Sequence, residues 1–174
     1  KTRDLFEQDF NFPIDEMMPK FERLLGFGLS DIDPHSGKKM HIIVRINRPG
    51  SMDFNPPHKD IYNLWDEEAR IPSFVNLWIP ICGVTSRSSL PVVPGSHHLA
   101  ENKVLRTFDG AVVEGNKYRV NGVMEWDGKS ELIRPEVKDG EVLMFSGHLI
   151  HGLAKNDQED TTRIALEFRL FKKD

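Results

Sequence analysis

Short segments rich in β-branched and aromatic residues, separated by turn signals, constrain the fold of this chain more than any other feature. Their length and composition are typical of β-strands. Pro-Gly, Asn-Gly and Asp-Gly pairs lie between them, and such pairs are typical of tight turns. The predicted strands cover residues 40–47, 74–82, 90–93, 118–124, 141–145 and 163–171. The pattern predicts an all-β barrel or jelly roll.

An amphipathic helix precedes the strands. Between residues 14 and 25, apolar side chains recur at steps of three and four, which is the spacing of one helix face. The apolar positions are Met17, Met18, Phe21, Leu24 and Leu25. Gly26 and Gly28 follow and end the helix. We therefore expect a single domain over residues 1–174, with a helical N-terminal part over about 1–39 and a jelly-roll core over about 40–171.

The composition excludes several classes of function. A chain of 174 residues with 23 Lys and Arg, 27 Asp and Glu and a net charge of −4 has no basic stripe for nucleic acid. No apolar run approaches the roughly 18 residues of a membrane-spanning helix. The single Cys82 permits neither an intrachain disulfide nor a multi-cysteine zinc site, so His, Asp or Glu must hold any metal. We expect a cytoplasmic protein without nucleic-acid or membrane partners.

The last predicted strand has one unexpectedly polar face. Alternation places Ile164, Leu166, Phe168 and Leu170 on one side, and Arg163, Ala165, Glu167 and Arg169 on the other. An arginine inside a barrel needs an anionic partner, because burying an unpaired charge costs several kcal/mol. Glu167 or Glu141 could supply this partner. A dicarboxylate ligand could also supply it.

The triplet His58-Lys59-Asp60 is a candidate metal-binding motif. In an extended segment, residues i and i+2 point to the same side, about 6.5 to 7 Å apart. An imidazole, a carboxylate and a second histidine form the two-His, one-carboxylate triad that suits non-haem Fe(II). A solvated surface turn would contain the same triplet, so the triplet alone is not specific.

Two further histidines, His148 and His151, follow the predicted strand 141–145. Either could be the second imidazole ligand. The alternative for each is a core or rim histidine whose ring bonds a backbone carbonyl. Arg163 lies twelve residues beyond His151, at the start of the last strand.

Taken together, these residues resemble the Fe(II)- and 2-oxoglutarate-dependent dioxygenases, and among them the phytanoyl-CoA dioxygenase-like group. The pattern consists of His58-x-Asp60, a later histidine before glycine, and Arg163. Two further stretches are similar to motifs of that group: LPVVPGSH at residues 90–97, and GEVLMF at 140–145 leading to His151-Gly152 and Asn156. The resemblance spans about residues 40–171.

The resemblance implies a double-stranded β-helix whose mouth holds iron between His58, Asp60 and His151. His151 is the second imidazole ligand because the group places this histidine directly before glycine, and His148 then becomes a structural or outer residue. The resemblance also implies Fe(II), 2-oxoglutarate and O2 as cofactors, with Arg163 anchoring 2-oxoglutarate. Because Asp60 occupies the position that is a halide site in related halogenases, hydroxylation is favoured over halogenation.

Other polar positions have two interpretations each. Asn76 could donate to the carboxylate of 2-oxoglutarate or make a cross-strand hydrogen bond. Arg45 could bind co-substrate or substrate, but we favour a pair with Glu167. Tyr62 could line the site or lie at its rim. Residues 96–98 are expected to form a turn beside the mouth, and Lys59 is expected to face away from the metal.

The expected reaction is hydroxylation of an unactivated carbon with release of succinate and CO2, while desaturation, cyclisation and epimerisation stay open. The expected substrate is a small polar metabolite: an amino acid, a sugar, an aminocyclitol or a natural-product intermediate. Residues 64–73 or 99–111 could cover it as a lid. The alternative is a cupin-like metal-binding isomerase or sugar-binding module without oxygenase activity, but such a protein does not explain an arginine twelve residues after the second histidine.

Overall fold

The computed structural model describes residues 2–6, 9, 12–63, 73–128 and 130–173. In chain order the strands and the helix are β1 (Thr2–Leu5), α1 (Ile14–Leu25), β2 (Leu29–Ser30), β3 (Ile42–Asn47), β4 (Phe74–Cys82), β5 (Val104–Arg106), β6 (Ala111–Val113), β7 (Asn116–Tyr118), β8 (Val123–Trp126), β9 (Leu143–Ser146) and β10 (Arg163–Lys172). Short 3-10 helices cover Asp60–Asn63, Ser96–His98 and Glu101–Lys103. The lid predicted at 64–73 lies, except for Ser73, outside the described residues.

The larger layer is an antiparallel sheet with the strand order β1-β3-β10-β4-β9, and β2 pairs with the end of β10. The predicted mainly β architecture is confirmed. The N-terminal part, expected to be helical, contributes one helix and two strands. Residues 2–5 are a strand because they pair with β3, with Leu5 opposite Ile42. Because these two strands are far apart in the sequence, no local sequence pattern predicts that they pair.

The two faces of β10 have different partners. Leu166, Phe168 and Leu170 face α1 and pack with its Ile14 and Phe21. Ala165, on the opposite face, packs with Trp78 in a second cluster inside the barrel. The polar residues predicted to share that inner face are therefore directed into the barrel.

Helix α1 has the predicted bounds, but its apolar stripe is narrower than predicted. Ile14 and Phe21 are buried, whereas Leu24 is 71% exposed. At about 100° per residue, Leu24 lies about 80° from Ile14 and about 60° from Phe21, at the edge of the stripe. No helix in the described part of the chain has the length and apolarity that crossing a bilayer requires.

Antiparallel bridges form the second layer of the jelly roll. Ile133 pairs with Val92, Val92 pairs with His151, and His151 pairs with His58. The strand predicted at 90–93 is thus a single bridged position. The strand predicted at 118–124 is instead the end of β7 and the start of β8, because the Gly122 amide between them donates to the Thr107 hydroxyl.

Candidate active site

Two histidines face each other across one of these bridges. The amide of His58 donates to the carbonyl of His151 at 2.8 Å, and the amide of His151 donates to the carbonyl of His58 at 3.0 Å. Directly opposed residues of antiparallel segments point to the same side. The two ring centroids are consequently 4.3 Å apart. The bridge therefore brings two imidazoles side by side, although the two histidines are far apart in the sequence.

The same nitrogen of each ring faces a backbone carbonyl. Nδ1 of His58 is 2.8 Å from the carbonyl oxygen of Pro56, and Nδ1 of His151 is 2.9 Å from that of Leu149. A carbonyl oxygen can only accept, so Nδ1 carries the hydrogen in each ring. The lone pair of each Nε2 is then available to a metal, and the carbonyls fix the ring orientations.

Asp60 completes the cluster. Its Oδ1 is 3.5 Å from Nε2 of His58, and its Oδ2 is 3.8 Å from Nε2 of His151. All three side chains are buried, and their ligand atoms lie within 4.8 Å of one another. Asp60 begins the 3-10 helix Asp60–Asn63, so a turn, and not strand alternation, brings it beside His58. The structure thus brings together the three residues predicted as metal ligands.

The protonation states suit a cation. Burial raises the pKa of Asp60, but neighbouring positive charge and hydrogen-bond donors, among them the guanidinium of Arg169 at 3.0 Å, outweigh burial and hold the pKa well below the ordinary aspartate value. Burial, followed by the nearby His58, lowers the pKa of His151. At neutral pH Asp60 is a carboxylate and His151 is a neutral imidazole. Metal ligands need these forms.

The donor set determines which metal fits. Two imidazole nitrogens and one carboxylate oxygen on one side of an ion form the facial triad of non-haem Fe(II) sites, which leaves coordination positions open for ligands. The cluster contains no thiolate, because the only cysteine, Cys82, lies exposed at the end of β4. The residues present therefore fit the Fe(II) that the resemblance implies.

The histidines outside the triad are on the surface. His148 is exposed, and only its backbone amide has a described hydrogen bond, to the Ser146 hydroxyl. His97 and His98 are also exposed, in the 3-10 helix Ser96–His98. Ser96 itself is buried, and its hydroxyl accepts a hydrogen bond from the amide of Ile150 at 2.8 Å. This turn therefore supports the segment that carries His151.

Lys59 points into a different environment from its two neighbours. Its side chain is fully buried, and its ammonium donates to Oε1 of Glu101 at 2.8 Å. The hydroxyl of Tyr62 donates to Oε2 of the same carboxylate at 2.7 Å. Tyr62 and Lys59 are buried and share the partly exposed carboxylate of Glu101, and Tyr62 does not line the cavity beside the histidines. This network fixes the backbone on both sides of Asp60.

We expect Glu101→Gln to lower the free energy of unfolding by about 1 kcal/mol at pH 7, because it removes the charge opposite a buried ammonium, while solvent screens part of the interaction at the 46% exposed Glu101 side chain. Burial raises the pKa of Glu101, but the hydrogen bonds from Lys59 and Tyr62 outweigh it and lower the pKa below the ordinary glutamate value. Such a carboxylate stabilises the fold fully above its unfolded-state pKa, and this contribution is lost as pH falls through the folded-state pKa.

Urea unfolding at pH 7 and at lower pH measures this effect. The difference between wild type and Glu101→Gln should be full at pH 7 and shrink below about pH 4. Glu125→Gln is the matched control, because Glu125 is exposed on β8. A difference that does not depend on pH would contradict a role for the Glu101 charge.

A cavity of about 260 Å³ opens beside the two histidines. Liquid water occupies about 30 Å³ per molecule, so this space holds several waters or one small dicarboxylate. Its wall includes His58, His151, Trp78, Leu90 and Arg163. The two histidines of the metal triad and the inner face of β10 therefore border the same space.

Arg163 is the unusual charge in this wall. Its side chain is buried, with Nε donating to the carbonyl of Ser88 at 3.1 Å and Nη2 to that of Ala154 at 3.4 Å. Among the described residues, no carboxylate forms a salt bridge with it. Glu167 pairs instead with Arg45 at 2.9 Å, the pair that the sequence favoured. Burial lowers the pKa of Arg163 to about 10, so it is still a cation at neutral pH.

The amide of Asn76 contacts the metal triad. Its Nδ2 donates to Oδ2 of Asp60 at 2.6 Å, and its Oδ1 accepts a cross-strand hydrogen bond from Nε of Arg169 at 3.3 Å. The cross-strand alternative is therefore what the structure shows, and co-substrate binding by Asn76 stays a prediction. Arg169 also pairs with Oδ1 of Asp60 at 3.0 Å. We did not single out Arg169 from the sequence, although its place on the polar face of β10 was a signal.

A second cavity, of about 840 Å³, lies on the other side of Glu167. Glu167 borders both cavities, and Arg169 lines the second one. The remaining wall combines apolar and polar groups: Phe6, Met40, Ile43, Phe168, Phe171, Asp33, His35, Ser36, Lys38, Lys39 and His41. Arg169, which contacts the Asp60 carboxylate, thus separates that carboxylate from the second, larger cavity.

Solved structures with a similar fold include proteins from Micromonospora and Streptomyces. EvdO2 from Micromonospora carbonacea var. aurantiaca, complexed with 2-oxoglutarate, is 16% identical with a TM-score of 0.66, over 99% of this chain and 67% of that chain. AviO1 from Streptomyces viridochromogenes Tue57 is 14% identical with a TM-score of 0.57, over 90% and 57% of the two chains.

A third similar structure is the epimerase SnoN from nogalamycin biosynthesis, in complex with Fe3+ and alpha ketoglutarate. It is 14% identical with a TM-score of 0.59, over 98% of this chain and 63% of that chain. The chain therefore spans between 57% and 67% of the length of these three proteins. At such low identity these likenesses establish the double-stranded β-helix fold.

The family is established by a separate comparison. The search of curated proteins found no match. The family model described as phytanoyl-CoA dioxygenase (PhyH) matches residues 2–165, which is most of the chain and includes the triad and Arg163. The chain therefore belongs to the phytanoyl-CoA dioxygenase family, a family of iron- and 2-oxoglutarate-dependent oxygenases.

Proposed function

We propose that this protein is a non-haem Fe(II)- and 2-oxoglutarate-dependent oxygenase that hydroxylates an unactivated carbon of a small polar metabolite and releases succinate and CO2. One observation carries the proposal. The cavity that borders His58 and His151 is also bordered by Arg163, a buried cation without a carboxylate partner among the described residues. Burying such a charge is costly, and an anionic ligand in this cavity would offset that cost.

Each residue has a defined role in this proposal. His58, Asp60 and His151 hold Fe(II) through two nitrogens and one oxygen. Arg163 binds the distal carboxylate of 2-oxoglutarate, because a guanidinium offers a planar pair of donors that matches a carboxylate. Arg45 and Glu167 neutralise each other in the same wall. The net positive charge at the inner end of the cavity is then that of Arg163, which selects a dianionic co-substrate.

When iron and 2-oxoglutarate are bound, they supply the oxidising chemistry in which O2 is consumed, 2-oxoglutarate becomes succinate and CO2, and one oxygen atom enters a substrate C–H bond. The protein's own contribution is binding and orientation. Arg163 fixes one end of the co-substrate, and the carbonyls of Pro56 and Leu149 hold the two imidazoles in one orientation. Trp78 and Leu90 form apolar parts of the wall and exclude water from the reacting groups.

We assign the substrate to the outer part of the first cavity, because a substrate carbon must reach the metal and His58 and His151 border this space. Among the described residues of the second cavity there is no member of the triad. The wall of the first cavity also includes Asp53 and Asn55, whose carboxylate and amide groups suit hydrogen bonds to hydroxyl or amino groups. This lining supports an amino acid, sugar, aminocyclitol or natural-product intermediate as the substrate class.

The first test is an anaerobic titration with Fe(II) and then 2-oxoglutarate, monitored by the visible metal-to-ligand charge-transfer absorption of a chelated 2-oxo acid. We expect a band that grows with 2-oxoglutarate in the wild type. In Arg163→Met the 2-oxoglutarate affinity should fall about 10- to 100-fold, because a charge-assisted contact contributes about 1.5 to 3 kcal/mol. Fe(II) affinity should not change.

Arg87→Met is the matched control, because Arg87 is exposed and outside both cavities. No band in a wild type that binds metal would contradict the oxygenase and favour the cupin-like isomerase or sugar-binding module. Metabolites that stimulate succinate release then identify the substrate. Mass spectrometry of the product tests hydroxylation, since the product gains one oxygen atom, whereas desaturation or cyclisation removes two hydrogens and epimerisation leaves the mass unchanged.

A further inference from the structure

We propose that Arg169 is a positioning residue that holds the Asp60 carboxylate in its metal-binding orientation through a closed ring of hydrogen bonds with Asn76. The inference rests on the proposed function, in which Asp60 is a ligand to iron. It assigns a role to a residue of β10 that follows Arg163 on the same strand face.

The ring consists of contacts among only three side chains. Nη2 of Arg169 is 3.0 Å from Oδ1 of Asp60, Nε of Arg169 is 3.3 Å from Oδ1 of Asn76, and Nδ2 of Asn76 is 2.6 Å from Oδ2 of Asp60. Asn76 and Arg169 are direct register partners of β4 and β10. These two strands are the central pair of the large sheet, so the ring has a rigid base.

The guanidinium and the carboxylate together orient the Asn76 amide. An amide can present either its oxygen or its nitrogen to a neighbour, but Nε–H of Arg169 can only donate and the Asp60 carboxylate can only accept. Oδ1 of Asn76 therefore faces Arg169, and its Nδ2 faces Asp60. Each carboxylate oxygen of Asp60 then contacts one hydrogen-bond donor and one imidazole. Oδ1 contacts Arg169 and faces His58, and Oδ2 contacts Asn76 and faces His151.

This arrangement explains why the residue is an arginine. A guanidinium can donate through Nε and Nη2 at once, in two fixed directions, whereas a lysine ammonium is a single point of charge. Lysine at this position would keep the charge near Asp60 and lose the simultaneous contact to Asn76. The side chain of Arg169 is 30% exposed, whereas that of its partner Asp60 is buried, so the pair is stabilised best when a positive charge stays at this position. A lysine keeps that charge, and its main effect should therefore be on the metal site.

Co(II) binding to the anaerobic apo-protein, measured by visible absorption, tests this role without turnover. We expect Arg169→Lys and Arg169→Gln each to lower the Co(II) affinity about 10-fold or more, the range for residues that orient metal ligands, and Arg169→Lys to do so with little change in melting temperature. Arg23→Lys, on the exposed face of α1, is the matched control. Wild-type Co(II) affinity in Arg169→Lys would overturn the proposal, because charge alone would then be sufficient.

Asn76→Ala tests whether the ring acts as a unit. If it does, the double variant Asn76→Ala/Arg169→Lys should bind Co(II) about as weakly as the single variant with the lower affinity. Losses of Co(II) free energy of binding that add in the double variant would overturn the ring. The wild type separates this inference from the proposed function. A wild type that binds Co(II) but shows no absorption change with 2-oxoglutarate removes the oxygenase proposal and leaves the Arg169 result interpretable.

Discussion

His151→Ala should abolish specific iron binding, whereas His148→Ala should leave it unchanged. The two histidines are three residues apart, and both precede β10. Only His151 is buried, with its Nε2 beside Asp60 and its Nδ1 held by the carbonyl of Leu149. His148 is exposed and outside the triad.

The expected loss exceeds that for Arg169, because His151→Ala removes a ligand atom itself. Loss of a residue that only orients a ligand costs about 10- to 100-fold in metal affinity. Isothermal titration with Co(II) under argon, followed by the Fe(II) and 2-oxoglutarate absorption band, measures both losses in one series. Equal Co(II) affinity in the His151→Ala and His148→Ala variants would mean that the cluster is not the metal site.

The same pair of histidines shows how far the sequence alone could go. The residues left both candidates open, and a resemblance decided in favour of His151. The structural reason is a backbone bridge: His151 pairs with His58 through two hydrogen bonds, and such long-range pairing has no local sequence signature. Periodicity can identify which residues share a face of one strand, but it cannot show which strands lie opposite one another.

Strand β10 shows both the strength and the limit of that reasoning. Its alternation predicted a polar face with Arg163 and Glu167, and the structure places both in the wall of the first cavity. The favoured partner of Glu167, Arg45, is also observed. Arg169 lies on the same face, but it contacts the metal triad only because Asp60 begins a 3-10 helix, where the sequence predicts an extended segment. Side-chain contacts that depend on a turn could not be predicted from spacing.

Gly152→Ala should destabilise the protein strongly, by about 2 to 6 kcal/mol, and disturb the metal site. Gly152 follows His151 and has a φ of 128°, a backbone conformation that costs other residues about 1 to 3 kcal/mol. A Cβ atom there would lie 2.4 Å from the carbonyl oxygen of Pro56. Such a contact requires a backbone shift, which adds about 1 to 3 kcal/mol.

The shift would also affect a ligand. The carbonyl of Pro56 that a Cβ at Gly152 would displace is the one that bonds Nδ1 of His58. Gly140→Ala is the matched control, since Gly140 has a φ of 83° and a Cβ added there would meet no atom within 4 Å, so only the backbone conformation costs energy. Urea unfolding gives the stability difference, and Co(II) titration gives the effect on the site. If Gly152→Ala costs no more than Gly140→Ala, close packing against Pro56 does not hold the two histidine segments together.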